Sequence, residues 1–479
     1  MPFTKPLNVR GWIAIAIALI TILSASRIWL IPTHFSSDPN EGWNAFQASR
    51  AFGTGPLYSG PQALIGNNYP PLSFYLVGWA GRLLGDPIVA GRIIALLAVL
   101  AVAGCIFVAV RRFSVAGSCA PTIGALLFLA FNVTLFRSYL CMNDPQWLAH
   151  ALMMAGIALL IPNRPYAPPI TGNLVVAALL VVAGGIVKHN LVAFPLAATL
   201  WLALHHRRSL ALWIGTAVTA LLLSAALCYR AYGIDFFADL VFVDRHYSWL
   251  RMILRSTPVV LATLPLLIVS AGLVRDRKSD SRLDLLLIAI AISVPLGILQ
   301  RSGQGVDRNA HFEALIALCT AAAVALPRRR AAFDKPVFAQ PLPWLILPLL
   351  VILPTSLDAE VIEIAGSASA EASWKRLEDR IAATPGKVAC ETPALCYWAG
   401  KSFEIDFFLY GQRVALRHDA GALQRAIDEH RFAAIEMDSA ANVPPGGGEV
   451  VNPILPIIGR YYGTVFVNDD GRRLLGPVQ

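Results

Sequence analysis

Asp38 and Glu41 stand three residues apart in Ser36-Ser37-Asp38-Pro39-Asn40-Glu41-Gly42-Trp43-Asn44, directly after an apolar run over 11–32. A carboxylate beside an apolar segment can take a proton from an acceptor hydroxyl, or hold a divalent cation such as Mg or Mn against a phosphate. If a helix starts at Pro39, residues 38 and 41 share one face, and Asp38 caps it with Glu41 at the third position. Capping and catalysis are compatible. The acidic stretch opens a long loop, 33–86, that carries Tyr58 in Gly55-Pro56-Leu57-Tyr58 and Tyr69 in Asn67-Asn68-Tyr69-Pro70-Pro71-Leu72. Long ordered loops of this kind usually serve function.

Other candidates lie far along the chain. Asn143-Asp144-Pro145 opens an apolar run, where Asp144 serves equally as a helix cap or as a second acidic contact. Lys188 sits in a tight Lys188-His189-Asn190 turn between two apolar runs; a lysine there either contacts an anion or snorkels to the interface. Arg245 and His246 belong to a basic, aromatic stretch with Tyr247, Trp249, Arg251 and Arg255. Arg301 and Arg308 flank Gly303-Gln304-Gly305-Val306-Asp307. Together these basic residues suit an anionic group such as a lipid phosphate. His311 and Glu313 follow, at the start of a run, and should face the protein interior.

The elements that must position these groups are membrane helices. The chain has 479 residues, of which 56% are hydrophobic and only 14% charged, and its mean hydropathy is +0.59. A soluble domain carries about a quarter charged residues. Apolar runs at 11–32, 87–110, 120–138, 145–162, 172–188, 190–205, 209–229, 257–275, 284–300, 309–326 and 341–356 give about eleven spans. The run 70–85 starts at Pro70-Pro71, is short, and reads as a juxtamembrane or re-entrant helix. With Lys5 and Arg10 in the cytoplasm, alternation puts Arg111-Arg112, Arg164, His205–Arg208, Arg275–Arg282, Arg328–Arg330 and Lys335 in cytoplasmic turns. The acidic loop then lies outside, as do Asp144, Lys188 and the segment after 356. The first run is long, lacks a clear cleavage site and reads as a retained span. The net charge of +9 is spent on turns, not on a nucleic-acid footprint.

Residues 357–479 differ in kind. Helix-like Ala370–Ala383 and Ala420–Glu429 alternate with strand-like Lys387–Cys390 and Phe432–Met437. A hairpin signal follows at Thr464–Val467, Asn468–Gly471 and Arg472–Leu475. This predicts a small α/β domain outside the membrane domain of 1–356. Pro and Gly at 444–448 mark a loop, not a phosphate cradle. Cys390 and Cys396 are a disulfide or two free thiols; the other five cysteines read as packing residues.

The order of acidic loop, Gly-x-x-Leu-Tyr, Tyr-Pro-Pro-Leu and Gly91-Arg92-Ile93-Ile94 resembles the polyprenyl-phosphate-sugar-dependent glycosyltransferases of the C-type membrane fold (GT-C). The members it is most similar to are bacterial relatives of the protein O-mannosyltransferases, including lipid A aminoarabinose and rhizobial galacturonic-acid transferases. The resemblance covers roughly residues 10–330. It implies a polyprenyl-phosphate sugar donor, an envelope glycan, lipid or protein acceptor, inversion at the transferred sugar, and a bacterial inner membrane. It implies Asp38, then Glu41, as base or metal ligand, Asp144 beside the cavity, and Lys188 near the donor phosphate. The family's adjacent Asp-Glu pair is here Asp38-Pro39-Asn40-Glu41. No nucleotide-binding motif is present, which fits a lipid-linked donor. The rival readings are a transporter or flippase, which would show an internal repeat and midplane charges, and a membrane-anchored sensor.

Overall fold

The computed structural model describes residues 9–60, 62–328, 341–438 and 453–478. Lys5, Arg329, Arg330, Lys335 and the loop at 444–448 lie outside the described residues. Helix α1 (Val9–Trp29) leads into the acidic loop, which contains α2 (Pro39–Ser49) and α3 (Leu72–Leu84). The bundle continues with α4 (Pro87–Phe113), α5 (Ala120–Thr134), α6 (Gln146–Leu160), α7 (Thr171–Val187), α8 (Ala193–His205) and α9 (Arg207–Tyr232). Short α10 (Asp235–Val241) precedes α11 (Trp249–Ala271), α12 (Arg282–Gln300) and α13 (Phe312–Arg328).

Every expected apolar run falls on a helix, but their lengths differ. Among the described residues, seven helices are long and apolar enough to cross a membrane. The runs at 120–138, 145–162, 172–188 and 190–205 fall on shorter helices of 13 to 17 residues. A 15-residue helix is about 22 Å long, below the ~30 Å hydrocarbon thickness. Between α5 and α6 the chain holds one turn of 3-10 helix, Arg137–Tyr139, and is otherwise irregular. It is almost wholly buried over Leu135–Trp147, the condition under which irregular backbone is tolerated at such depth.

Helix α14 (Pro341–Ala383) is one element of 43 residues. It joins the apolar run at 341–356 to the helix expected at 370–383, so the boundary drawn at 356 lies within a helix. The sequence explains it: residues 357–383 hold no proline and one glycine, Gly366, and are rich in Ala and Glu. Arg137 and Arg27 hold α14 to the bundle through Glu360 and Glu363.

The C-terminal unit follows with β1 (Val388–Cys390), α15 (Pro393–Trp398), α16 (Phe407–Arg417), α17 (Gly421–Asp428), β2 (Ala434–Met437), α18 (Ile454–Ile458), β3 (Tyr462–Val467) and β4 (Arg473–Pro477). The sheet order is β1-β2-β4-β3, with β1 and β2 parallel and the other pairs antiparallel. The hairpin turns at Asn468–Gly471, where Gly471 takes φ +84°. Alternate strand residues sort to opposite faces. Val388, Cys390, Ala434 and Leu474 pack with Trp374, Leu377 and Ile381 of α14. Ala389, Ile435 and Leu475 pack with Phe407, Tyr410, Leu423 and Ile427. Cys390 and Cys396 form a disulfide.

Candidate active site

The acidic helix forms as its residues suggest. Asp38 is extended (φ −150°, ψ 133°) and caps α2, its Oδ1 accepting from the Asn40 amide at 2.9 Å, with Pro39 in the first turn. Glu41 faces inward and is buried, and Arg92 of α4 grips both its oxygens at 2.7 and 2.8 Å. The Asn143 amide adds a third bond to Glu41 Oε1 at 3.2 Å. The two carboxylates therefore differ: Glu41 is committed, and Asp38 is half-buried with only its capping bond. Burial, reinforced by the negative charges of Glu41, Asp144 and Asp307, pushes Asp38 up to about 7, against the hydrogen bond from Asn40.

Through its bonds to Glu41, Asn143 ties α2 to Asp144, whose environment is assembled from three distant segments. Asp144 Oδ1 accepts from the Gln146 amide at 2.8 Å, at the start of α6, and from Lys188 Nζ at 3.5 Å. Its Oδ2 is buried without a hydrogen-bond partner. Asp144 thus binds the first amide of α6 and Lys188 at once. Lys188 does not snorkel: it is buried, donates to the Tyr69 hydroxyl at 3.3 Å and lies 4.6 Å from the Tyr69 ring centroid. Asp38, Glu41, Asp144, Lys188 and Tyr69 thus share one region.

Tyr58 is elsewhere. It is buried between Tyr232 and Phe236, and its hydroxyl donates to the Tyr69 carbonyl at 2.9 Å, so it supports the loop from behind. The sequence shows an aromatic residue at 58 but not which side of the loop it faces.

The basic residues gather around the α12–α13 loop. Arg245 donates to the Gln304 carbonyl at 3.0 Å, and Arg251 to those of Gly303 and Val306. Arg301 is buried, and donates to the Val306 carbonyl at 2.7 Å and to Asp307 at 2.9 Å. Arg301 Nε is buried without a hydrogen-bond partner. His246 contributes its backbone: its amide donates to Gln412 of α16 and its carbonyl accepts from Gln304. Arg308 is exposed and ties the loop to the Leu135 carbonyl at 2.8 Å. A narrow apolar groove between α11, α12 and α13 is lined by Val259, Leu264, Leu267, Val294, Leu315 and Leu318. His311 stands at its loop end. Buried Glu313 accepts from the Ala193 and Phe194 amides at the start of α8.

The C-terminal unit closes on the same loops. Trp43 Nε1 donates to Asp406 at 2.8 Å, and the Asp406 amide to the Leu64 carbonyl at 2.9 Å. Arg417 pairs with Asp244 at 2.8 Å. A Cβ at Gly42 would lie 2.0 Å from the Ala394 amide nitrogen, so α2 and α15 touch backbone to backbone.

Arg92 holds both Glu41 oxygens, which leaves Asp38 as the carboxylate of the pair with an oxygen open to Mg or Mn. Among the described residues, no group of three or more His, Cys, Asp or Glu is placed to hold a metal ion. Arg92 and Asp307 are neighbours of these groups that sequence reading left without a role. An arginine inside an apolar helix was the available signal for the first.

No family model matches the chain, and no curated protein matches its sequence. Solved structures do share its fold. ArnT from Cupriavidus metallidurans bound to undecaprenyl phosphate is 14% identical with a TM-score of 0.61, over 98% of this chain and 99% of that one. Its apo state gives 15% and 0.62, over 98% of each chain. The Archaeoglobus fulgidus oligosaccharyltransferase tethered to an acceptor peptide gives 13% and 0.53, over 98% of this chain and 74% of that one. The chain has the GT-C fold, a multi-pass helical membrane architecture with a small C-terminal sheet unit.

Proposed function

We propose that this protein is a membrane glycosyltransferase that moves a sugar, with inversion, from a polyprenyl-phosphate donor to an acceptor outside the cytoplasm of a bacterial inner membrane. The observation that carries the reading is the pairing of one uncommitted carboxylate, Asp38, with a groove-and-arginine arrangement suited to a lipid phosphate. The fold supports it: one neighbour of the same architecture binds undecaprenyl phosphate.

In this mechanism the lipid tail lies in the groove between α11, α12 and α13. The donor phosphate meets Lys188 and the arginines around 303–307, with Arg301 Nε as the unused donor. Asp38 takes the proton of the acceptor hydroxyl as its oxygen attacks the anomeric carbon. The bond from that carbon to the phosphate oxygen breaks, and the phosphate leaves with the electron pair, stabilised by the cationic groups. A pKa near operating pH suits a general base, and Asp38 at about 7 meets that condition. Asp144 holds Lys188 in place and presents its free Oδ2 to a sugar hydroxyl. No step is assigned to a metal ion.

The test is mass spectrometry of envelope glycans, lipids and proteins from a deletion strain with and without the wild-type gene. A sugar modification that disappears and returns supports the reading. An unchanged envelope, or accumulation of an unmodified lipid on one leaflet only, supports a flippase instead.

A further inference from the structure

Arg92 sits in the second turn of α4, within an apolar helix, and only 4% of its side chain is exposed. An arginine there is costly unless each donor is matched. Its Nε and Nη2 hold the two oxygens of Glu41. Its Nη1 donates to the carbonyls of Leu30, Ile31 and Thr33 at 2.9, 3.1 and 2.9 Å, and Nη2 to that of Phe35 at 2.6 Å. Those carbonyls belong to the irregular chain between α1 and Asp38, which has no helical ladder of its own. The preceding residue does the complementary task. A Cβ on Gly91 would lie 1.7 Å from Asn143 Oδ1, so only glycine lets Asn143 seat against α4. Asn143 in turn donates its amide and its carboxamide to Glu41.

We propose that Gly91-Arg92 is the positioning element of the site: one dipeptide on α4 fixes both the backbone leading into Asp38 and the segment bearing Asp144. Neither residue touches substrate. Arg92 acts through Glu41 and four carbonyls, and Gly91 through Asn143. The proposal rests on Asp38 as the base, and its readouts are independent of turnover. Arg92 also balances the charge of Glu41, which is one of the groups facing Asp38. The others are Asp144 ahead of α6, Asp307 after α12 and Tyr139 after α5, with Arg27 at the end of α1 bonded to Ser37.

The full chain in detergent is labelled with dicyclohexylcarbodiimide, which attacks protonated carboxyls. Peptide mass spectrometry then reads the midpoint pH of Asp38 labelling, and hydrogen exchange reads residues 30–38. R92K keeps the charge but cannot span both Glu41 oxygens and the carbonyls; exchange over 30–38 should rise about tenfold or more with the midpoint little moved. R92Q leaves Glu41 uncompensated and should also raise the midpoint by about one pH unit. R92Q/E41Q should bring it back. G91A should raise exchange over 141–145. R282Q, at the other end of the bundle, is the control: it should lower thermal stability and leave both readouts alone. Unchanged exchange and midpoint in R92K and R92Q would overturn the proposal, as would an equal response to R282Q; if R92Q does not fold, R92K and G91A decide. An active Asp38→Asn variant would instead sink the base assignment, with the positioning readouts still responding.

Discussion

Both ends of the helix bundle bury arginines beside carboxylates, yet the network around Asp280 and Arg282 is closed and the one beside the acidic loop is open. At the end away from the acidic loop, Arg282 holds both oxygens of Asp280 at 2.8 and 2.7 Å and donates to the Arg112 and Pro162 carbonyls. Arg328 adds a second cation to Asp280 at 3.3 Å, and Asp284 takes His205 and Arg277. At the loop end, Asp144 Oδ2 and Arg301 Nε are buried without partners, and Asp38 keeps an oxygen beyond its cap. Buried polar groups in native structures are nearly always satisfied. A closed network is accounted for by the fold itself. An open one has capacity left for a ligand. The contrast recurs within the loop end, where Glu41 with Arg92 is closed and Asp38 is open.

Breaking the open network should cost activity, and breaking the closed network should cost stability. The largest effect expected is from Asp38→Asn, which should cut sugar transfer by about 10²–10⁴-fold, measured as product per folded protein. Wild-type transfer should rise with pH through about 7 as Asp38 ionises. The stability sign is opposite. The folded carboxyl is raised above its unfolded value of roughly 3.9, so the folded state binds more protons between the two values. Stability from this group therefore falls as pH rises across that window. Asp38→Asn removes the effect, and its melting temperature should pull ahead of wild type as pH rises from 4 to 8.

Arg282→Met should leave Asp280 with only Arg328, and destabilise the chain by about 3–5 kcal/mol with turnover per folded molecule retained. Chemical denaturation and activity on the same samples would check this. Lys188→Met is smaller: loss of a charge-assisted contact of roughly 1.5–3 kcal/mol should weaken undecaprenyl phosphate binding about 10- to 100-fold, read by native mass spectrometry. Smallest is Cys390→Ser with Cys396→Ser, where opening so short a loop should cost about 2 kcal/mol of stability in the C-terminal unit and leave the rest intact.

The membrane elements were legible because hydropathy is local, and the strands because alternation is local. Val388–Cys390, Ala434–Met437 and the Asp-Gly hairpin lie where the pattern puts them. Long-range facts left weaker traces. Nothing near Glu41 shows that Arg92, 51 residues on, will hold it, and nothing near Tyr58 shows that Tyr232 and Phe236 will bury it. The unity of α14 was hidden because its two halves announce themselves differently, one by apolar composition and the other by polar helix formers. Helix lengths were overestimated where apolar residues continue past the helix into buried, irregular chain, as after Thr134. Of the basic residues, the sequence showed the gathering of charge but not its address, the carbonyls of one loop.

The comparison is tested most directly by complementing a deletion strain with Asp38→Asn and with Arg282→Gln at matched levels of folded protein, then measuring the sugar content of the envelope by mass spectrometry. Arg282→Gln should restore the lost sugar, and Asp38→Asn should not. Full restoration by Asp38→Asn would contradict the assignment of Asp38 as the base.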